Sequence, residues 1–320
     1  IYSAGDGVSV AGLSNGEIYA VSSNGEKLWS AGVIFETPIY DITEKNGVVY
    51  AVFQNGKIVR FNAEDALNRA EDEDFSEKCK VYAAGDNIDG NVSNTSLIVS
   101  DDGKTVYLRS AFRVRGQKNR IYAFDVESGE KTLVAQSARK LAGNALGGNE
   151  LFYSDGSKIM KYDGNETAEV CDIEEQINSV SAGENFVAVI TDNNNIVKVN
   201  KQGGDKSSAK LDVTLNGNYV FSTGENFVGK INNGGVAIIS SETMKVTLSM
   251  TAADSANLIL WSEDGFALRD DSDVNNTYIV NYSVAQVKMK NTFSALKTTS
   301  VIAAVIMLLA TAYFGLGIKP

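Results

Sequence analysis

Residues 16–29 read Gly16-Glu17-Ile18-Tyr19-Ala20-Val21-Ser22-Ser23-Asn24-Gly25-Glu26-Lys27-Leu28-Trp29. Side chains alternate along an extended backbone, so Ile18 and Ala20 share one face while Tyr19 and Val21 share the other. Asn24-Gly25 supplies the positive backbone angles of a two-residue hairpin turn, after which Leu28 and Trp29 resume the apolar pattern. A lone hairpin of this kind cannot bury its own apolar face. It therefore needs neighbours, and the chain contains them.

The pattern returns at 46–61, where Tyr50-Ala51-Val52 precedes Asn55-Gly56, and at 120–134, where Ile121-Tyr122-Ala123 precedes Ser128-Gly129. Looser copies follow at 151–162, 186–199, 219–239 and 258–280. Each copy is marked by its tyrosine or the equivalent residue: Tyr19, Tyr50, Tyr122, Tyr153, Ala188, Val220 and Leu260. Most steps are about 31 to 40 residues, and the step from Tyr50 to Tyr122 is double. Strand-rich repeats at this period predict propeller blades; a β-helix would need shorter coils, and a sandwich would not repeat. The expectation is an all-β chain, a β-propeller of about seven four-stranded blades over 1–287, with six or eight left open. A strand near Val8-Ser9-Val10 or Ile1-Tyr2 is expected to pair with the last blade. Residues 62–94, with a helical bias and an acidic run, are expected as an insertion between blades.

A net charge of −11 disfavours a nucleic-acid surface, which needs excess positive charge. The absence of histidine removes the commonest general base and metal ligand, and every histidine-dependent triad. Two cysteines, Cys79 and Cys171, are too few for a disulfide scaffold or a four-ligand zinc site. One bridge in an oxidising compartment and two free thiols both stay open.

The pattern Gly-x-Ile-Tyr-Ala-Val-x-x-x-Gly-x-x-Leu-Trp at 16–29 resembles the repeat of the quinoprotein-alcohol-dehydrogenase-like (PQQ-repeat-like) propellers. Residues 46–61 and 120–134 match in part, and the remainder is diverged. That superfamily includes assembly-factor lipoproteins of the bacterial outer membrane. The resemblance implies a propeller fold and leaves the activity open, because such rings serve as enzymes, sensors and scaffolds.

Thr298 to Ile318 is free of charge, and its 21 residues in a helix at about 1.5 Å each would span about 30 Å, one hydrocarbon core. A single transmembrane helix is expected at 298–318, after a juxtamembrane linker at 288–297. Lys288, Lys290 and Lys297 precede the run and Lys319 follows it, which by the positive-inside rule places the propeller in the cytoplasm. The chain begins at Ile1 rather than Met, as after removal of a leader, and propellers of the type resembled are often extracytoplasmic. The expectation adopted is a single-pass membrane protein with its propeller outside.

Candidate chemistry is sparse. A quinone-dependent dehydrogenase needs aromatic stacking on a metal-bound cofactor, yet Trp29 and Trp261 both sit in repeat-like strands where core packing accounts for them. Asp270-Asp271-Ser272-Asp273 and Asp192-Asn193-Asn194-Asn195 carry alternating oxygens without the glycine and bidentate acid of a calcium loop. No catalytic residue, cofactor or metal ligand is expected. One cluster opposes the net charge: Arg113, Arg115, Lys118 and Arg120 on a predicted hairpin tip, suited to an acidic partner or lipid headgroups. The reading is a non-catalytic membrane-anchored scaffold that meets other membrane subunits. The alternatives are a ligand sensor using the propeller funnel and, last, a quinoprotein-type enzyme.

Overall fold

The computed structural model describes residues 2–283, apart from 6–7, 23–25, 71–72, 90–94, 114–117, 140, 142–143, 224–225, 233–234, 251–255, 263–264 and 274–275. The chain folds into seven antiparallel sheets, in each of which sequential strands pair with their neighbours. Blades 1 to 6 span 2–33, 39–83, 96–137, 144–172, 177–210 and 215–250, with four strands each. Blade 7, 256–283, has three strands among the described residues. The first strand of each blade lies against the first strand of the next. The ring closes where Ala256–Ser262 meets Tyr2–Gly5.

Burial falls from axis to rim. Second strands such as Val48–Phe53 and Phe186–Thr191 are buried on both faces, because each sheet is covered by a blade on either side. Fourth strands such as Lys131–Ser137 and Lys206–Lys210 are largely exposed. Cores therefore lie between blades. Tyr50, Val52, Ile58 and Tyr82 of blade 2 pack on Val106, Leu108, Phe112, Tyr122 and Phe124 of blade 3. Ile18 and Ala20 of blade 1 pack on Val49, Ala51, Val59 and Phe61 of blade 2. Among the described side chains, the blades bury their apolar surface against one another.

The repeat encodes a turn as well as strands. Gly16 and Gly56 follow asparagine between the second and third strands of blades 1 and 2, at φ of 88° and 74°. A Cβ at Gly16 would lie 1.8 Å from the Phe35 carbonyl oxygen, and one at Gly56 would lie 2.2 Å from that of Asp86. In both places the chain leading to the next blade passes over the turn. In blade 5 the left-handed residue is Asn194, whose side-chain amide holds the incoming chain through the Leu211 and Val213 carbonyls and the Leu215 N–H.

Three expectations change. The strand Tyr2–Gly5 pairs with Val8–Gly12 inside blade 1 rather than with blade 7, so packing of first strands closes the ring. The marker residues fall one per sheet but on different strands. Tyr19 and Tyr122 are on third strands, Tyr50, Tyr153 and Ala188 on second strands, and Val220 and Leu260 on first strands. The double step from Tyr50 to Tyr122 thus combines this slip with inserted chain, and no blade is lost there. The insertion itself starts inside blade 2. The helix Ala63–Leu67 and the 3-10 turn Phe75–Lys78 lie before the fourth strand Lys80–Ala83, which pairs with the third. The helix rests on the fourth strand of blade 1, and Phe75 stacks edge-on against Phe61 at 5.1 Å, with Trp29 on the other side of Phe61 at 6.0 Å. Each such aromatic pair adds about 0.5–1.5 kcal/mol beyond its area, so the inserted chain braces the seam between blades 1 and 2. No helix among the described residues is long and apolar enough to cross a membrane. The linker 288–297 and the apolar run 298–318 lie outside the described residues.

Candidate functional site

The innermost strand of every blade leaves one edge of backbone N–H and C=O groups without a sheet partner, and such groups need satisfying elsewhere. Near the axis two side chains take up this role. Asp41, on the first strand of blade 2, accepts from the Leu97 N–H of blade 3 at 2.8 Å and from the Ile42 N–H at 2.9 Å. Arg109, on the second strand of blade 3, donates from Nη1 to the Leu141 carbonyl at 2.8 Å, where the chain enters blade 4. Arg109 is 8% exposed, whereas Asp41 keeps contact with solvent although protein packs around it on every side. Burial raises the Asp41 pKa above its usual value, against the opposing effects of the two N–H groups and Arg109. Burial likewise pushes Arg109 down to about 10, with Asp41 holding it up in part. Beside them Thr95 and Ser110 share a hydroxyl hydrogen bond of 2.8 Å. This polar layer joins blades 2, 3 and 4 through their backbones.

The predicted docking cluster is divided. Arg120 reaches back to blade 2, with Nη1 3.0 Å from Asp86 and 3.0 Å from the Tyr122 hydroxyl, and Nε 3.0 Å from Gln136. Its side chain is only 17% exposed, so it is a strut between blades rather than a free docking group. Arg113 is exposed but pairs with Asp89 at 3.6 Å, while its N–H donates to the Asn87 carbonyl. Lys118 stands opposite Phe112 in the hairpin, and Arg115 lies outside the described residues. The two strands of the hairpin pair over Thr105–Phe112 and Lys118–Asp125, and acids of the preceding linker, Asp89 and Asp86, meet Arg113 and Arg120.

Cys79 and Cys171 are both free. Cys79 precedes the fourth strand of blade 2 and Cys171 is on the fourth strand of blade 4, with blade 3 between them. Burial pushes the Cys79 thiol up to about 12, and its S–H donates to the Phe75 carbonyl at 3.4 Å. Trp29 packs in the seam between blades 1 and 2, as its strand position implies. Near Asp192, the Glu175 carboxylate accepts from Thr191 at 2.6 Å and from Asn195 at 2.9 and 3.0 Å. These hydrogen bonds lower its pKa. The acids at 270–273 lie on the second strand of blade 7, Gly265–Asp273.

Two surfaces were not legible as sites. One is a set of exposed large apolar side chains on the rim of blades 1 to 3: Leu28, Val33, Leu67, Val81 and Leu133, between 41% and 60% exposed. The other is a groove of about 440 Å³ on the face of blade 5 that turns toward blade 6, lined by Asn185, Phe186, Lys198, Asn200 and Asp205. It exists because the fourth strand of blade 5 carries Ser207 and Ala209 toward blade 6, where blades 1 and 2 carry Trp29 and Tyr82 into their seams. Small residues on an exposed strand look ordinary in sequence, so no signal marked the groove.

No protein-family model matches the sequence, and no curated protein matches it. Solved structures do match. BamB from Moraxella catarrhalis is similar at a TM-score of 0.56 and 14% identity, over 88% of this chain and 83% of that one. Apo AztD from Citrobacter koseri gives 0.58 and 8%, over 90% and 83%. Hsv2 from Kluyveromyces lactis gives 0.59 and 7%, over 88% and 96%. At these identities the likeness shows the β-propeller fold alone.

Proposed function

We propose that this propeller is a non-catalytic interaction subunit of a membrane or envelope complex, held beside its partners by an anchor at 298–318. The observation that carries the reading is the exposed apolar rim. Large side chains at Leu28, Val33, Leu67, Val81 and Leu133 stand on the outer strands of three consecutive blades and on the helix that braces them. Monomers expose single hydrophobes at random; a set that, among the described residues, falls on one arc of the rim fits a face that another subunit covers. The ring supplies rigidity, which lowers the ordering cost of binding. The resemblance at residues 16–29 to a superfamily that includes envelope assembly factors supports the same reading. The charge-free run supports the anchor, and the type of propeller resembled supports an extracytoplasmic position for the ring.

The test is protease protection on sealed cells with the chain tagged at its start, followed by mild-detergent purification. Digestion from outside together with co-purifying membrane subunits that are lost on Val33→Asp plus Leu133→Asp supports the proposal. Protection until the membrane is broken overturns the orientation. Retention of all partners by the double variant overturns the role of the rim.

A further inference from the structure

The groove of about 440 Å³ on blade 5 has walls that are fixed in place. Asn200 stands opposite Phe186, and Ser207 stands opposite Lys198. Cross-strand partners share a face, and residues two apart on a strand do too, so all four turn toward blade 6. Phe186 is half-buried and stands edge-on to Phe227 of blade 6 at 5.9 Å. The turn before it passes so close that a Cβ at Gly183 would lie 2.4 Å from its Cζ. Lys198 donates to the Ser241 carbonyl of blade 6 at 3.0 Å, with its Nζ 4.4 Å from the Phe186 ring centroid. A wall held from both blades needs little ordering when a ligand arrives.

The polar groups that line this space are accessible and uncommitted. Asn200 Oδ1 accepts from the Gln202 N–H at 2.9 Å, which orients the amide and leaves its two N–H groups for the groove. Asn185 and Asp205 are exposed on the two turns that rim it, which the Lys201 N–H joins by donating to the Asn185 carbonyl at 3.3 Å. Among the described residues no hydrogen bond or ion pair engages the side chain of either. The bond to Ser241 uses one of the three donors of Lys198. Lys206 belongs to the other face of its strand, opposite Val199 in the core between blades 4 and 5. One ammonium, Lys198, and one carboxylate, Asp205, therefore face the space, and their charges balance.

A space of this size falls within the range of about 300–1,000 Å³ usual for small-ligand sites. Balanced charge selects against an ion. Amide, carboxylate and ammonium groups side by side call for a ligand whose polar groups both donate and accept, which is the property of a hydroxyl. An extended peptide fits less well, because its main chain pairs along a strand edge, whereas this groove lies on a sheet face. We propose that the groove binds one ring of a neutral saccharide, with Asn185, Asn200 and Asp205 bonded to its hydroxyls, Lys198 supplying a further donor, and Phe186 meeting its C–H groups. The site is separate from the apolar rim of blades 1 to 3 and does not depend on the interaction reading.

The experiment uses the full chain in lauryldimethylamine oxide micelles, a detergent with no sugar headgroup to compete. Methyl β-glucopyranoside and N-acetylglucosamine are titrated separately, with N-acetyl-trialanine amide as a neutral peptide probe. Saturation-transfer NMR reads the binding, and thermal unfolding runs alongside. Saturable transfer is expected with at least one sugar. Asp205→Ala and Asn185→Ala should each weaken it at least about 10-fold at an unchanged unfolding temperature, because both side chains are exposed and unbonded. Ser207→Val, which narrows the groove, should weaken it too without unfolding earlier. Asn165→Ala, equally exposed on a turn of blade 4, should bind as wild type does. Absence of saturation with both sugars overturns the site. Saturation that none of the three groove variants weakens means an adventitious additive only and overturns it as well. Saturation by the trialanine probe that the same variants abolish makes the groove a peptide slot and overturns the choice of sugar.

Discussion

The seam between blades 2 and 3 and the seam between blades 5 and 6 are built from the same repeat, yet they are filled differently. In the first, bulky side chains run from axis to rim: Val52 and Leu108 inside, Tyr82, Tyr122 and Phe124 outside. Long cations then cross it, with Lys131 donating to the Ala84 carbonyl at 2.9 Å, Lys45 pairing with Asp101 at 3.0 Å, and Arg120 with Asp86. The second is well packed only near the axis, where Ala188, Ile190, Phe227 and Ile239 meet. Toward the rim its side chains shrink to Ser207 and Ala209, and two open spaces of about 440 and 250 Å³ remain. Lys198, donating to the Ser241 carbonyl at 3.0 Å over the ring of Phe186, is its main crossing cation. A repeat fixes where a seam lies; the fourth strand decides how tightly it shuts.

The largest effect should come from breaking the polar layer that spans blades 2 to 4. Arg109→Leu leaves Asp41 as a carboxylate without its neighbouring charge and the Leu141 carbonyl without its donor. Leaving a buried hydrogen-bonding group without its partner costs about 1–3 kcal/mol. Urea unfolding should show that loss at unchanged slope, and a loss below about 1 kcal/mol would mean the layer is solvated rather than enclosed. Tyr82→Phe probes the outer part of the same seam more gently. It removes one hydrogen bond to the Val126 carbonyl, which Lys80 still reaches at 2.6 Å, so about 1 kcal/mol should be lost.

Asp41 also separates the two seams by pH. Its folded pKa is raised, so between the unfolded value of 3.8 and that raised value the folded state binds more protons than the unfolded one. Its contribution therefore favours the fold as pH falls through this window and is fully present below 3.8. Carboxylates whose pKa is lowered, Asp74, Asp102, Asp125, Asp163, Asp172 and Glu175, act in the opposite direction below their unfolded values. Asp41→Asn removes only the first contribution. The stability difference between wild type and variant should thus be more favourable to wild type at pH 4 than at pH 7. A difference independent of pH would show that Asp41 titrates alike in both states.

These contrasts also explain what the sequence disclosed. The propeller architecture was legible because strand-rich copies recur at a near-constant period, although that period left six, seven or eight blades open, and the turn glycines are needed wherever the next blade's chain crosses at Phe35 or Asp86. The strand that each marker occupies was not, because second and third strands are both apolar and a tyrosine suits either. The basic hairpin was visible as charge, but its neutralisation by Asp86 and Asp89 depends on a linker that folds back over it. The groove on blade 5 is defined by side chains that are too small, and composition records what is present more readily than what is missing.

That last point can be tested by filling the groove. Ser207 is exposed on the fourth strand of blade 5, in contact with the Met244 sulfur of blade 6 at 3.8 Å. Valine is a better strand former and would extend the apolar layer of Ala209 and Met244 outward. Ser207→Val should raise stability by about 0.5–1 kcal/mol, the range typical of cavity filling. The equivalent change in the seam between blades 2 and 3, where Tyr82 already fills the outer layer, should be neutral or harmful. If Ser207→Val destabilises instead, the groove is held open by a constraint from blade 6.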